Sequence, residues 1–330
     1  MKNKLSLGFF PTPLYELKNL SKQFGGYRIL IKRDDHNGVA TGGNKVRKLE
    51  YLLQDALDQG CDTVITAGAR QSNHCRLTAA ACAQTGLKCH LLLGGEEPEE
   101  YNGNLLLSAL LGAKIHFTGD HRKGEDIPIL AERLKKEGNK PYIIPYGGSN
   151  RIGALGYANA VLEIREQLKA ANLSVDYIVF ASSSGGTHAG LLAGCELYGL
   201  DSKIIGINID KDETQGKTLE EIIRELIPGV LELHNRKPVL YEPDIRLIRD
   251  YDKGGYGIVT GQERRAIKML AETEGILLDP VYTARAFYGM MDLMEKKLLK
   301  PGSTVLFLHT GGIPATFCYA KDLFCKTCGD

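Results

Sequence analysis

Short apolar runs alternate with amphipathic stretches along almost the whole chain. The apolar runs predict buried strands at 29–32, 61–66, 90–93, 114–117, 142–144, 177–180, 204–209 and 304–308. Between them, apolar residues recur every three or four positions, which predicts helices. The helices are expected from 45 to about 57, at 74–85, 104–111, 126–137 and 153–169, from the turn 181–190 to about 198, and at 213–226, 260–274 and 283–297. The stretch 229–255 has weaker periodicity and predicts irregular structure around a helix.

The alternation of strands and helices predicts an α/β fold. Strands that are apolar along most of their length indicate parallel sheets covered by helices on both faces. The chain of 330 residues is long enough for two such domains or for one large one. Ligands of these folds gather at the carboxyl ends of the strands. We therefore expect the site where the loops after residues 66, 144, 180 and 308 converge.

Composition and charge narrow the class of protein. The net charge is +1, which makes no electrostatic case for a nucleic acid or an anionic membrane as partner. No apolar run approaches the length that spans a bilayer, and the first residues do not resemble a signal peptide. Eight cysteines stand singly along the sequence, which is typical of reduced thiols in a cytoplasmic protein.

No metal site is expected from the sequence. The pair Cys325 and Cys328 near the end of the chain is weak evidence for zinc, because a second pair of ligands is missing from the pattern. An unstructured tail that carries two thiols is the simpler interpretation.

Lys45 is the first candidate for chemistry. It follows Gly42-Gly43-Asn44 and stands where the helical pattern begins, so unpaired N–H groups and the positive end of the helix dipole point at it. A lysine in this position holds its proton less firmly, and neutral amines form Schiff bases with carbonyl compounds. The alternative is an ordinary solvated lysine on a first helical turn.

A loop rich in small residues is the clearest ligand signal. Ser182-Ser183-Ser184-Gly185-Gly186-Thr187 joins a buried strand to a helix, so that successive N–H groups at a helix N-terminus are available to an anion. The loop is neither a Walker motif nor the dinucleotide fingerprint. A phosphate monoester is the expected guest, and a plain tight turn is the alternative.

Further polar side chains lie at the other strand-to-helix turns. Ser72 and Asn73 open the helix at 74–85, where one of them is expected to cap the helix or to meet a ligand. Thr310 follows the last strand and offers a hydroxyl. Thr283 either caps the last long helix or faces a ligand, and Tyr256 on a glycine-rich loop is suited to line a pocket.

A lysine that forms Schiff bases, a phosphate loop and no metal together suggest pyridoxal phosphate. At this point the sequence resembles the fold type II (tryptophan-synthase-β-like) pyridoxal-phosphate enzymes, and among them the 1-aminocyclopropane-1-carboxylate deaminase and D-cysteine desulfhydrase group. The motifs that carry the resemblance are Pro11-Thr12-Pro13-Leu14, Lys32-Arg33-Asp34-Asp35, Gly42-Gly43-Asn44-Lys45, Gln71-Ser72-Asn73-His74, Gly185-Gly186-Thr187, Asp279-Pro280-Val281-Tyr282 and His309-Thr310-Gly311-Gly312.

The resemblance implies a role for each candidate residue. Lys45 binds the cofactor and then serves as the base, Asn73 faces the 3′ oxygen of the cofactor, and Ser72 lies beside the substrate. The phosphate is held by Ser184, Gly185, Gly186 and Thr187, and the substrate pocket by Ser72, Asn73, Tyr256 and Tyr282. The resemblance also implies a homodimer, a small amino-acid substrate, and a smaller domain at 50–160 inserted into a larger one made of 1–49 and 161–330.

One position separates the two activities of the group. The deaminases carry Glu directly after the tyrosine of the Asp-Pro-Val-Tyr motif, where it pairs with the pyridine nitrogen; this sequence has Thr283, as the desulfhydrases do, with Thr310 also near that nitrogen. A hydroxyl leaves the ring a weaker electron sink than a carboxylate does. Opening a cyclopropane needs the strong sink, whereas expelling a thiolate needs less. The sequence therefore favours β-elimination from D-cysteine, giving pyruvate, hydrogen sulfide and ammonia.

Three alternatives stay open. The alternatives to a D-cysteine lyase are a cyclopropane deaminase, an L-cysteate sulfo-lyase, and a protein that binds pyridoxal phosphate without turnover. The choice between a D and an L substrate depends on how the Cα–H bond lies over Lys45, which is a matter of tertiary geometry.

Overall fold

A computed structural model describes residues 2–210, 213–214, 216–237, 242–252 and 254–324. The pair Cys325 and Cys328, considered above for zinc, lies outside the described residues. Within the described residues, no group of three or more histidine, cysteine or acidic side chains is arranged to hold a metal. None of the described helices combines the length and apolar character needed to cross a bilayer.

The larger of two main sheets has six strands in the order β1-β2-β12-β7-β8-β11. Only β1 runs antiparallel to its neighbour. The strands are β1 Leu14–Glu16, β2 Arg28–Arg33, β7 Tyr177–Ser182, β8 Lys203–Asn208, β11 Arg246–Ile248 and β12 Thr304–His309.

The smaller main sheet has four parallel strands in the order β5-β4-β3-β6. They are β3 Thr63–Ala69, β4 Lys88–Gly94, β5 Lys114–Phe117 and β6 Pro141–Ile143. A short hairpin of β9 Glu213–Thr214 and β10 Lys217–Thr218 stands apart from both sheets.

Helices connect the strands and cover the sheets. They are α1 Lys18–Gln23, α2 Lys45–Asp58, α3 Asn73–Thr85, α4 Gly103–Leu110, α5 Ile127–Lys136, α6 Arg151–Ala170, α7 Gly186–Tyr198, α8 Leu219–Leu233, α9 Gly261–Glu274, α10 Thr283–Glu295, α11 Ile313–Thr316 and α12 Ala320–Leu323.

The core confirms that the larger sheet is covered on both faces. Alternate residues of one strand enter different clusters, because side chains along a strand point to opposite faces. Ile178 and Phe180 of β7 pack with α6, α7 and α8, whereas Val179 packs with α9 and α10 on the other side. Both faces are therefore apolar, and these strands read as continuous apolar runs.

Each predicted strand overlaps an observed strand, but the segment after β8 differs from the prediction. The helix expected at 213–226 begins only at Leu219, because Thr218 and Glu221 form a capping box there. It continues through Pro228 to Leu233, since its buried face packs into the core of the larger sheet. Within 229–255, predicted to be irregular, β11 extends the sheet by pairing with β8.

The division into two domains at residues 50 and 160 stays a prediction. Each of these boundaries falls inside a long helix, the first in α2 and the second in α6. We retain the division as a proposal for how the chain is organised.

Candidate active site

One cavity lies where strands of both main sheets end. Its walls come from the loops after β3, β6, β7 and β12 and from the starts of α2 and α10, which is where the sequence predicts a site. The lining residues are Asn44, Lys45, Ser72, Asn73, His74, Tyr146, Gly147, Ala181, Ser182, Ser183, Ser184, Gly185, Thr187, His188, Tyr282 and Thr310. The structure thus brings eight of the predicted site residues into one cavity, although they are scattered from Lys45 to Thr310 in the sequence.

Lys45 is the first residue of α2 and stands half-buried in the cavity wall. Removal from bulk water lowers the pKa of its amine from 10.5 to about 8. The sequence predicts this direction from the helix N-terminus, but burial is the cause in the structure. At neutral pH a useful fraction of the amine is therefore uncharged and nucleophilic.

The turn before Lys45 is held by contacts on both sides. Gly42 has φ 71°, and a Cβ there would lie 1.8 Å from the backbone oxygen of Asp35, so only glycine fits. The buried guanidinium of Arg76 donates to the Gly42 oxygen at 2.7 Å, and Asn44 N–H donates to the Thr310 oxygen at 3.0 Å. These contacts set the position of Lys45 relative to the last strand of the larger sheet.

The loop predicted to hold a phosphate forms a cradle of small residues at the start of α7. The N–H of Gly186 donates to Ser149 Oγ at 3.1 Å, and Ser149 Oγ lies 2.8 Å from Ser184 Oγ. A Cβ on Gly186 would lie 2.7 Å from Ser149 Oγ and 2.9 Å from Lys48 Nζ. Gly186 therefore permits a close approach that any side chain would block.

Lys48 is a second lysine under this cradle. It is buried, and its Nζ donates to the oxygen of Gly147 at 3.1 Å and to Ser149 Oγ at 3.4 Å, both neutral acceptors. Burial, followed by the charge of Lys45, lowers its pKa well below 10.5. A phosphate dianion bound in the cradle would supply the missing negative charge, so these residues fit a phosphorylated cofactor.

Sequence reasoning did not assign Lys48 or Ser149 to the site. The available signal was the spacing of Lys48, which is three residues after Lys45 and so shares a face of α2 with it. Ser149 carried no comparable signal, because it reaches the cradle only through the packing of the loop after β6.

Ser72 and Asn73 combine both interpretations considered from the sequence. Ser72 Oγ caps α3 by accepting from the Cys75 N–H at 3.2 Å, and both residues also line the cavity. The Asn73 side-chain oxygen accepts from the Asn104 amide at 2.8 Å. The NH₂ group of Asn73 is therefore the end that remains available as a donor to a ligand oxygen.

Two tyrosines form one wall. Their hydroxyls, on Tyr256 and Tyr282, lie 2.9 Å apart, and the rings meet edge to face with centroids 6.1 Å apart. Tyr282 lines the cavity, whereas Tyr256 is outside the lining and contacts it through Tyr282. Burial raises the pKa of both hydroxyls well above 10, so both are protonated at neutral pH. Tyr146, which the sequence analysis did not single out, lines the same cavity.

The two threonines predicted near the pyridine nitrogen differ in environment. Thr310 lines the cavity. Thr283 is buried outside the lining; its hydroxyl donates to Asp279 Oδ1 at 2.7 Å and accepts from the Asp279 N–H at 2.8 Å. The structure therefore does not bring the Thr283 hydroxyl to the cavity surface together with the other predicted residues, because Asp279 engages it.

These features define a site for a phosphorylated carbonyl cofactor beside a nucleophilic lysine. Residues 5–311 match the protein family described as pyridoxal-phosphate dependent enzyme. The chain therefore belongs to the family of pyridoxal-phosphate-dependent enzymes, and the predictions of an enzyme and of this cofactor are confirmed.

Individual relatives narrow the comparison. A Klebsiella pneumoniae protein named D-cysteine desulfhydrase is 42% identical over 326 residues, covering 97% of each chain. A Pyrococcus abyssi protein, named provisionally as a 1-aminocyclopropane-1-carboxylate deaminase, is 42% identical over 97% of this chain and 94% of its own. Both belong to the group that the sequence resembles, which confirms that prediction.

Solved structures confirm the fold class. The structure described as the ACC deaminase homologue is 41% identical, has a TM-score of 0.88, and matches over 97% of this chain and 95% of that chain. O-ureido-L-serine synthase is 16% identical with a TM-score of 0.67 over 97% of this chain and 94% of that chain, which is a likeness of fold alone.

Proposed function

We propose that this enzyme is a β-eliminating lyase that converts D-cysteine and water to pyruvate, hydrogen sulfide and ammonia. Several relatives at 42% identity are named D-cysteine desulfhydrase, which supports the substrate class. The observation that carries the proposal is that the position after Tyr282 holds Thr283 rather than a carboxylate, which leaves the Thr310 hydroxyl in the cavity lining as the group expected to meet the pyridine nitrogen. Pyridoxal phosphate, when bound, supplies an electron sink for the Cα of an amino acid.

The residues of the chain divide the remaining work. Lys45 would hold the cofactor, and its Nζ would take the proton from the Cα of the substrate. Its pKa of about 8 suits a base at neutral pH. The phosphate would be held by Ser184, Gly185, Gly186 and Thr187, and the buried Lys48 beside them would supply positive charge.

The ring and the substrate are assigned to other walls of the cavity. The Asn73 amide would donate to the 3′ oxygen of the cofactor. The proton of Thr283 is already given to Asp279, so Thr310 is the hydroxyl that remains to donate to the ring nitrogen. Ser72 would bind the substrate carboxylate or assist proton transfer, and Tyr282 with Tyr256 would shape the end of the pocket that receives the leaving group.

A side-by-side product assay tests the proposal. Purified enzyme is given D-cysteine, L-cysteine, L-cysteate and 1-aminocyclopropane-1-carboxylate, and pyruvate, sulfide and 2-oxobutyrate are measured. We expect pyruvate and sulfide in equal amounts, fastest with D-cysteine. Faster release of 2-oxobutyrate from the cyclopropane substrate would instead establish a deaminase, the activity in the name of the Pyrococcus relative. A yellow protein inert with all four would point to cofactor binding without turnover.

A homodimer and a cytoplasmic location are part of the same proposal. The homodimer rests on the resemblance, and the location rests on cysteines that stand singly in the sequence. Light scattering during size-exclusion chromatography of the cofactor-loaded protein tests the dimer, and a mass of one chain would exclude it.

A further inference from the structure

An ion pair joins the two main sheets beside the tyrosine wall. Arg122 stands in the loop after β5 of the smaller sheet, and Asp210 follows β8 of the larger sheet. Arg122 Nη2 lies 3.4 Å from Asp210 Oδ2, with the arginine side chain 19% exposed and the aspartate side chain 4% exposed. The two charges are thus largely shielded from water, where an ion pair is screened less than on an open surface.

Arg122 also covers one of the tyrosines. Its guanidinium carbon lies 4.4 Å from the centre of the Tyr256 ring, a cation–π contact. The Tyr256 hydroxyl in turn contacts that of Tyr282, which lines the cavity. Tyr256 itself lies on the loop Gly254-Gly255-Tyr256-Gly257, whose glycines restrict the backbone little. Arg285 holds the backbone on either side of Tyr256 by donating to the oxygens of Gly255 and Ile258 at 2.7 and 2.9 Å, so the contact with Arg122 acts on the orientation of the ring.

Asp210 is hydrogen-bonded to the cofactor loop, the residues Ser182 to Thr187 from the end of β7 to the first turn of α7. Its Oδ1 accepts from Ser183 Oγ at 3.1 Å, and its backbone oxygen accepts from the Asn208 amide at 2.7 Å. Ser183 lines the cavity. A continuous series of contacts thus leads from the cofactor loop through Asp210, Arg122 and Tyr256 to Tyr282.

Arg122 is anchored on its own sheet by close packing. A Cβ on Gly94, at the end of β4, would lie 2.5 Å from Arg122 Cβ. This close approach places the arginine against the end of the smaller sheet, from which it reaches across to the larger one.

We propose that Arg122 and Asp210 are positioning residues, a charge pair across the two sheets that holds Tyr256, and through it Tyr282, against the substrate. The inference rests on the proposed function, because it takes the tyrosine wall to face the substrate. Neither residue touches the reacting atoms. Their effect is on how well the pocket is formed, and so on substrate binding more than on the chemical step.

Kinetics with D-cysteine test the pair. Arg122→Gln and Asp210→Asn are each expected to raise KM about tenfold with kcat changed by less than about threefold, since a loosened wall weakens binding. Arg122→Lys should restore most of the loss, because it keeps the charge. The double variant Arg122→Gln with Asp210→Asn should raise KM by less than the product of the two single effects, because both residues act through the same contact.

A matched control is available elsewhere on the chain. Arg265 forms an ion pair with Glu295 at 2.6 Å and lies over Tyr288 at 5.9 Å from the ring centre, and none of the three lines the cavity. Arg265→Gln removes a similar arginine and should leave KM and kcat unchanged. If it raises KM as much as Arg122→Gln does, the effect is not specific to the tyrosine wall and the inference is wrong.

A second measurement is independent of turnover. Hydrogen–deuterium exchange of the loop 254–258 in the cofactor-loaded protein should be faster in Arg122→Gln than in the parent protein and near the parent rate in Arg122→Lys. This readout stands even if D-cysteine proves not to be the substrate, so that failure of the proposed function is distinguishable. Unchanged exchange together with unchanged KM in Arg122→Gln would overturn the inference.

Discussion

The pKa of Lys45 makes the reactivity of the apoenzyme predictable. Burial brings it from 10.5 to about 8. At pH 7 about one amine in ten is then neutral, compared with about one in three thousand for a lysine of pKa 10.5. Because only the neutral amine attacks a carbonyl, the apoenzyme should bond pyridoxal phosphate about 300-fold faster at pH 7 than a solvated lysine of equal intrinsic reactivity.

The rate of cofactor binding by the apoenzyme should rise with pH. The folded-state pKa is depressed, so the neutral fraction grows as the pH rises through 8 and changes little above about 9. Apoenzyme is mixed with cofactor between pH 6 and 10, and the rate of appearance of visible absorbance is recorded. The rate for N-acetyl-lysine amide is measured at each pH and divided by the neutral fraction of that amine. Each apoenzyme rate is then divided by this corrected rate, which removes the contribution of the cofactor's own titration.

The expected normalised profile has its midpoint near pH 8. A normalised rate that still rises steeply between pH 9 and 10 would refute the reasoning, because Lys45 would then titrate like an exposed lysine of pKa 10.5. Lys48→Met serves as the matched variant at the neighbouring buried lysine. It removes a charge near Lys45 but leaves the amine in place, so a profile that persists with its midpoint at or slightly above pH 8 assigns the titration to Lys45.

Three further predictions concern the same residues. Lys45→Ala should lose both turnover and the visible absorbance of the lysine-bound cofactor, and a variant that kept both would contradict the assignment. Lys45→Met should raise the free energy of unfolding of the apoprotein at pH 7 by at most about 3 kcal/mol, because the pKa of Lys45 is lower in the folded than in the unfolded state. This gain, measured by chemical unfolding, should shrink as the pH rises from 8 to 10.5. Gly186→Ala should weaken cofactor binding at least about tenfold in equilibrium dialysis, since its Cβ would lie 2.7 Å from Ser149 Oγ. Gly261→Ala, at the first residue of α9 with open space around it, is the control, and equal affinity in the two variants would contradict the cradle.

Local patterns of apolar residues predicted most of the strands and helices. Each predicted strand overlaps an observed one, because a strand buried on both faces must be apolar along its length wherever the chain places it. The helix α8, which follows the hairpin of β9 and β10, differs from the prediction. The start of α8 follows the capping box of Thr218 and Glu221, and the apolar pattern that predicted residue 213 did not include it.

The sequence by itself determined the candidate loops. Lys45, the residues Ser184 to Thr187, and Ser72 with Asn73 all stand where small or polar residues follow a strand, and that signal is local. Parallel strands of one sheet end at the same edge, so the loops of each sheet lie together, and the packing of the two sheets then brings both edges to one cavity. The family resemblance added roles to residues that position had already selected.

Only the tertiary structure decided which side chains complete the site. Ser149 reaches Gly186 across 37 positions, and Arg122 reaches Asp210 across 88, so both contacts depend on how the sheets are arranged rather than on any local period. Thr283 shows the same limit, because its hydroxyl is engaged by Asp279 instead of lining the cavity. A sequence pattern reports which face of an element is buried, whereas partners between distant segments are set by the order of the strands and by packing.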